Sequence, residues 1–77
     1  MNICIKYFGF IAEVTHCEEE IIDFSGQLIS ELLATLNSKY PDLKNKGFQV
    51  AQNQELVTES TEITGQELAL LPPFSGG

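Results

Sequence analysis

The sequence is 77 residues long, 43% hydrophobic and 19% charged, which places it among globular chains with room for one small domain. A domain of that size buries only about 60% of the surface its unfolded chain exposes, which argues against an autonomous enzyme enclosing several substrates or a large cofactor. Eleven acidic residues against four basic ones give a formal net charge of -7; that offers no basic footprint to nucleic acid or to an anionic membrane surface, and suits either simple solubility or a basic protein partner.

Asn2 to Phe8 alternates as a strand, with Ile3, Ile5 and Tyr7 on one face and Cys4, Lys6 and Phe8 on the other. Gly9 interrupts the pattern and predicts a bulge or a loop that leaves the strand. A second strand is expected from Glu18 to Phe24, acidic at its start as suits an edge exposed to water. Its closeness to the first strand makes an antiparallel pair the simplest arrangement. At Ser25 the apolar period changes from two to about 3.6. Ser25 reads as the N-cap, with Phe24 stapled onto Ile29. Leu28, Ile29, Leu32, Leu33, Leu36 and Tyr40 then form one helical stripe, which Pro41 ends.

Asp42 to Gly47 reads as a polar connection, Phe48 to Gln52 as a third strand, Asn53-Gln54 as a turn, and Glu55 to Val57 as a short return strand. Thr58 to Thr64 is polar and irregular, with Ile63 as its apolar anchor. Gly65-Gln66 turns the chain into Glu67 to Leu71, whose nearly unbroken apolar run predicts a central strand covered on both faces. One helix covering a mixed sheet gives an α+β roll.

Candidates for chemistry are few. Cys4 and Cys17 are not spaced as C-x-x-C, so neither a redox pair nor a zinc knuckle is indicated, although a disulfide between them stays open. Cys4, between two isoleucines, reads as a core or sheet-face residue. His16, the single histidine, lies beside an acidic run and reads as a surface residue without a catalytic role. Neither a basic-then-apolar leader nor an apolar run of membrane-spanning length is found, which makes a reduced, cytoplasmic protein the default.

The residues after Leu71 differ in kind. Pro72 and Pro73 cannot donate to a ladder, so they turn the chain out of the sheet and start it as a stiff arm. At roughly 3.3 Å per residue this arm reaches on the order of 20 Å from the body. Phe74 offers an aromatic anchor for a partner pocket. Gly76 and Gly77 lack a β-carbon and can thread a channel too narrow for a side chain, delivering an α-carboxylate. A frayed terminus would present the same two glycines.

The segment Gly65 to Gly77, reading Gly-Gln-Glu-Leu-Ala-Leu-Leu-Pro-Pro-Phe-Ser-Gly-Gly, resembles the C-terminal signature of the MoaD-type sulfur carriers of the MoaD/ThiS family, the small subunits of molybdopterin synthase. The resemblance extends over the whole chain through Phe8-Gly9-Phe10-Ile11-Ala12-Glu13 and Val50-Ala51-Gln52-Asn53-Gln54. Gln66 stands where an Asp is usual and Gln52 looks inserted before Asn53, departures that touch the hairpin register and leave the tail intact.

The resemblance implies a single ubiquitin-like β-grasp domain over residues 1–77. One main helix would pack on one face of a mixed sheet, with residues 71–77 as a flexible projecting tail. It implies that the Gly77 carboxylate is the reacting group. A MoeB-type activating enzyme that consumes ATP would adenylate it, and a sulfur donor would convert it to a thiocarboxylate. The tail would then enter a MoaE-type large subunit of a heterotetramer, giving its sulfur to cyclic pyranopterin monophosphate in molybdenum cofactor biosynthesis. In this scheme the chain is a non-catalytic carrier with no stably bound cofactor and no metal. Partner contacts are implied at Phe8, Leu56 and Leu71, and along the tail at Pro72, Pro73, Phe74, Ser75 and Gly76; ordinary core packing is the other reading of Leu56 and Leu71. A ThiS-like carrier for thiamine thiazole synthesis, a small ubiquitin-like modifier and a plain β-grasp binding module are alternatives on the same fold.

Overall fold

The computed structural model describes residues 2–45, 47–64 and 67–73. Its strands are β1 (Asn2–Tyr7), β2 (Glu19–Asp23), β3 (Gln49–Gln52), β4 (Glu55–Val57) and β5 (Leu68–Leu71), in the spatial order β2-β1-β5-β3-β4. Two α-helices, α1 (Phe10–Thr15) and α2 (Ile29–Lys39), and a 3-10 helix (Pro41–Asn45) occupy the connections. β1 pairs antiparallel with β2 and parallel with β5, while β3 pairs antiparallel with both β5 and β4. This mixed sheet with one main helix is the β-grasp arrangement expected from the sequence.

Alternation along the strands builds the core. Ile3 and Ile5 of β1 are fully buried and Tyr7 nearly so; the register sets Ile22 opposite Ile3, Leu68 opposite Ile5 and Leu70 opposite Tyr7. Ile29, Leu32 and Leu36 of α2 close this layer with Ile11 of α1 and Leu43 of the 3-10 helix. The last strand therefore lies at the centre of the sheet, as its apolar run predicts. It is not covered on both faces, however. Ala69 and Leu71 point away from the helix and are only half-buried, because a chain of this length supplies one helical layer and not two.

Gly9 leads into a helix, where the sequence predicts a bulge or loop. With φ 59° and ψ -137° it serves as the N-cap of α1, whose six residues carry the chain from β1 to β2. The first two strands do pair antiparallel, but across a helix. The amides of Ile11 and Ala12 donate to the carbonyls of Phe8 and Gly9. At the far end the Thr15 hydroxyl lies 3.1 Å from the carbonyls of both Ile11 and Cys17.

The start of α2 also differs from expectation. Its N-cap is Leu28, not Ser25. The amides of Ile29 and Ser30, which a helix leaves without internal partners, donate instead to the carbonyls of Thr61 and Glu59, each at 2.9 Å. The Glu31 carboxylate accepts from the amides of Gln27 and Leu28 at 2.9 and 2.8 Å, and these bonds hold its carboxyl below the ordinary value. A distant loop and a reaching glutamate thus replace the local side-chain cap. Phe24 is buried with its ring in the space that a β-carbon at Gly26 would take. The other end follows the sequence: α2 stops at Lys39, before Pro41.

Ile63 anchors the loop after β4, as expected. Gln52 holds it too: its side-chain amide donates to the Glu62 carbonyl and accepts from the Thr64 amide, both at 3.0 Å. Asn53 and Gln54 have φ 53° and 67°, as a two-residue hairpin turn requires. The Gly65-Gln66 turn lies outside the described residues. Cys4 and Cys17 are free thiols.

A polar clasp closes the β2 side of the core. The hydroxyls of Tyr7 and Tyr40 both donate to one oxygen of Glu20, the latter at 2.8 Å, and Lys39 donates to the other at 3.0 Å. The two rings meet edge to face, 6.3 Å apart. Partial burial pushes the Glu20 carboxyl up, but the three donors outweigh it and hold the group below the ordinary carboxylate value. Burial first, and the bond to Glu20 second, push both phenols above their ordinary range. Because the Glu20 value is depressed on folding, its stabilisation is present above the unfolded carboxylate value of about 4.3 and is lost as pH falls through the folded one. Glu20→Gln should therefore lower stability at neutral pH by about 1–2 kcal/mol. In thermal melts the gap to the wild type should narrow on acidification through the carboxylate range; a gap independent of pH would show that the charge on Glu20 contributes nothing.

Candidate functional site

The sheet positions the root of the tail. The parallel ladder between β1 and β5 extends one residue beyond β1, where the Phe8 amide donates to the Leu70 carbonyl at 3.1 Å. Leu71 is held from the other side by its register with Gln49. The next residue, Pro72, is half-buried against Gly9: a β-carbon on Gly9 would stand 2.7 Å from the Pro72 Cγ. Pro73 is exposed and faces Gly47, whose β-carbon position is 3.8 Å from the Pro73 Cγ. Two glycines from different connections thus flank the point where the chain leaves the sheet. Phe74, Ser75, Gly76 and Gly77 lie outside the described residues.

Beside this root is the face of the sheet away from α2. Tyr7 pairs with Leu70, so Phe8 follows beside Leu71, and both residues turn to this open face. Leu56 reaches the same face from β4, opposite Ala51, which itself lies opposite Ala69. Phe8 is 45% exposed and Leu56 55%, so neither is ordinary core; Leu71 is half-buried. An apolar band therefore crosses the sheet from Leu56 through Ala51, Ala69 and Leu71 to Phe8. At the far edge Ile21, 69% exposed and opposite Cys4, lies on the same face. Lys6 sits between them and pairs with Glu67 at 3.4 Å. Both side chains of that pair are well exposed, so it adds little to stability.

The other chemistry-bearing residues stand apart. Desolvation, then the charges of Glu19 and Glu67, push the Cys4 thiol above its ordinary value, so it stays protonated and poorly nucleophilic. His16 is exposed in a left-handed conformation at the end of α1, consistent with a surface residue. An open cleft of about 830 Å³ runs between α2 and the β3–β4 side, lined by Leu33, Asn37, Phe48 and Val57 among others. Among the described residues, its ionisable lining groups are Lys44 and Glu59, and these two form no acid–base or nucleophilic set. Neither the contact of Gly9 with Pro72 nor the Tyr7–Glu20–Tyr40 clasp is evident from the sequence. A glycine directly between a strand and the Phe10–Thr15 segment was the available signal for the first; nothing local announces the second.

The sequence model of the ThiS family matches residues 5–77. The chain belongs to the ThiS family. Among solved structures, it is similar to SAMP1 from Haloferax volcanii, at 28% identity over the full length of both chains with a TM-score of 0.81. It is likewise similar to a chain in the complex of subunits 1 and 2 of molybdopterin-converting factor from Helicobacter pylori, at 30% identity over all of both chains and a TM-score of 0.70. A putative molybdopterin converting factor subunit 1 from Pyrococcus furiosus shares the fold, with a TM-score of 0.87 at 20% identity, over 96% of this chain and 99% of that one. These likenesses establish a ubiquitin-like β-grasp carrier of the ThiS/MoaD type. Among the described residues, no helix is long and apolar enough to cross a membrane.

The exposure of the apolar band has a direct consequence. Phe8→Asp and Leu56→Asp should each change stability by no more than about 0.5 kcal/mol, as expected for surface positions. Leu70→Asp, which places a charge in the core beside Tyr7, should unfold the domain. Thermal melts of the three variants check this, and a cooperative loss of structure in Phe8→Asp would move Phe8 into the core.

Proposed function

We propose that the chain is the sulfur-carrier small subunit of a molybdopterin synthase, with the Gly77 carboxylate as the reacting group. The observation that carries this is the placement of the tail root: a Pro72-Pro73 exit held at the centre of the sheet, beside an open apolar band formed by Phe8, Leu71 and Leu56. A partner seated on that band is positioned to receive whatever Phe74, Ser75, Gly76 and Gly77 present. The 30% identity to a chain of the Helicobacter pylori complex supports a large-subunit partner of the MoaE type.

The chemistry asks little of the carrier. A carboxylate is a poor electrophile, so an activating enzyme of the MoeB type transfers AMP from ATP to it and releases pyrophosphate. A sulfur donor then attacks the carbonyl carbon, AMP leaves, and the tail ends in a thiocarboxylate that passes its sulfur to the pterin acceptor on the large subunit. The Gly77 carboxylate oxygen attacks the α-phosphate and no side-chain base or nucleophile of this chain takes part, in keeping with the protonated Cys4. The small side chains at the end admit the tail to a narrow channel, and the acidic surface steers the carrier to basic partners.

The likeness to SAMP1 supports a second reading, since a related solution structure from Methanosarcina acetivorans, 25% identical, is that of small archaeal modifier protein 1. A modifier passes the activated Gly77 acyl group to an amine on another protein and needs no large subunit. Affinity capture from the native lysate, with a tag at Met1 and the tail left free, separates the readings. A sulfur carrier for molybdopterin recovers a molybdopterin synthase large subunit and an adenylating enzyme, and Phe8→Asp loses the large subunit. Recovery of a thiazole synthase would redirect the sulfur to thiamine. A ladder of covalent conjugates without a large subunit would establish the modifier.

A further inference from the structure

We propose that Gly9 is a positioning residue for the tail: by carrying no side chain, it seats the Pro72 ring and sets the direction in which the chain leaves the sheet. The consequence for activity rests on the carrier reading above, whereas the structural half stands on its own.

Three observations converge on Gly9. Its φ of 59° with ψ of -137° lies where residues with a β-carbon are strained, so the turn from β1 into α1 already favours glycine. A β-carbon there would also stand 2.7 Å from the Pro72 Cγ, far inside contact distance, and 3.6 Å from its Cδ. Finally, the backbones of the two segments are tied by the Phe8 amide and the Leu70 carbonyl, one residue before Gly9 and two before Pro72, which resists their moving apart. The proline ring can shift its Cγ only by changing pucker, since its φ is locked and it has no open-chain torsion by which to swing clear. A methyl group on Gly9 therefore loads both the pucker of Pro72 and the direction of the exit there. Five residues follow Pro72, a reach of at most roughly 17 Å, so a tilt of about 15° at the root displaces the end by up to about 4 Å. Misplacements smaller than that cost acyl-transfer sites large factors in rate.

A purely local role, in which Gly9 serves only the turn into α1, is separable because the clash has a single main partner atom. In Pro72→Ala the Cγ is gone, and the nearest remaining atom, Cβ, is 4.0 Å from the added methyl, an ordinary contact. The experiment is a double-mutant cycle of Gly9→Ala and Pro72→Ala. It is read by ATP–pyrophosphate exchange on the chain's activating enzyme, by thermal melts, and by dipolar couplings of the Leu71 and Phe74 amides in the free chain. Gly9→Ala alone is expected to lower kcat/KM for the carrier about tenfold and to change the Phe74 coupling. In the Pro72→Ala background the same substitution should change kcat/KM less than about twofold and leave that coupling alone, while its cost in melting temperature, which reports turn strain, is the same in both backgrounds. An equal loss of kcat/KM in both backgrounds, or no loss in either, would overturn the proposal. Should Gly9→Ala fail to fold, Pro72→Ala carries the test: it should shift the Phe74 coupling and lower kcat/KM several-fold with little change in melting, and unchanged couplings would refute the seat. A wild-type chain that supports no pyrophosphate exchange would refute the carrier reading instead, leaving the couplings to decide the role of Gly9.

Discussion

The rest of the structure depends on the parallel pairing of β5 with β1. It inserts β5 between β1 and β3, so Leu68 and Leu70 join Ile3 and Ile5 as fully buried residues of the sheet and tie the two strands into one core. Such a pairing spans nearly the whole chain and carries a large closure entropy, which the apolar run at 68–71 must offset. Its reward is positional. Whatever follows Leu71 leaves from the centre of the sheet, flanked by Gly9 and Gly47, and so has a fixed origin. Under the proposed function, with Gly77 as the reacting group, a fixed root limits the volume that group must search to reach its target.

The same short chain explains what is left open. A single helical layer covers one face of the sheet; the other keeps Phe8, Leu56 and Ile21 in solvent, with Ala51, Ala69 and Leu71 between them. A contiguous exposed apolar band of this kind is a candidate interaction surface. The edge strands are protected by charge: β2 carries Glu19, Glu20 and Asp23, and β4 begins at Glu55. Glu20 does more than guard an edge, since it gathers Tyr7, Lys39 and Tyr40 and so fastens the edge strand to the end of the main helix.

How much of this was legible in the sequence follows from how local each feature is. The main helix could be read from its stripe and from Pro41, and the central strand from 67–71, because both signals lie within the segments themselves. The start of that helix could not: Ser25 is the better cap by composition, but Leu28 takes the place because the carbonyls of Glu59 and Thr61, some thirty residues away, supply the acceptors. Glu31, three residues after Leu28, was the one local hint. Helix α1 was hidden by its length and by Ile11, Val14 and Thr15, β-branched residues that suit a strand as well as a helix. The expected covering of both faces of β5 is not found, because an apolar run does not by itself distinguish a buried face from an open one, and Ala69 and Leu71 belong to the open band. For the tail, residue types and order carried the reading. The contact of Pro72 with Gly9 needed three dimensions, since 63 positions separate the two residues.

The most direct test of the central claim, that the sulfur rides on Gly77, is the intact mass of the purified chain after incubation with ATP, its activating enzyme and a sulfide donor, followed by fragmentation to locate the change. A sulfur carrier gains the mass difference of one sulfur for one oxygen, localised to Gly77, and a chain extended by one residue beyond Gly77 gains nothing. Sulfur found on Cys4 or Cys17, or an extended chain that is modified as well as the native one, would contradict it.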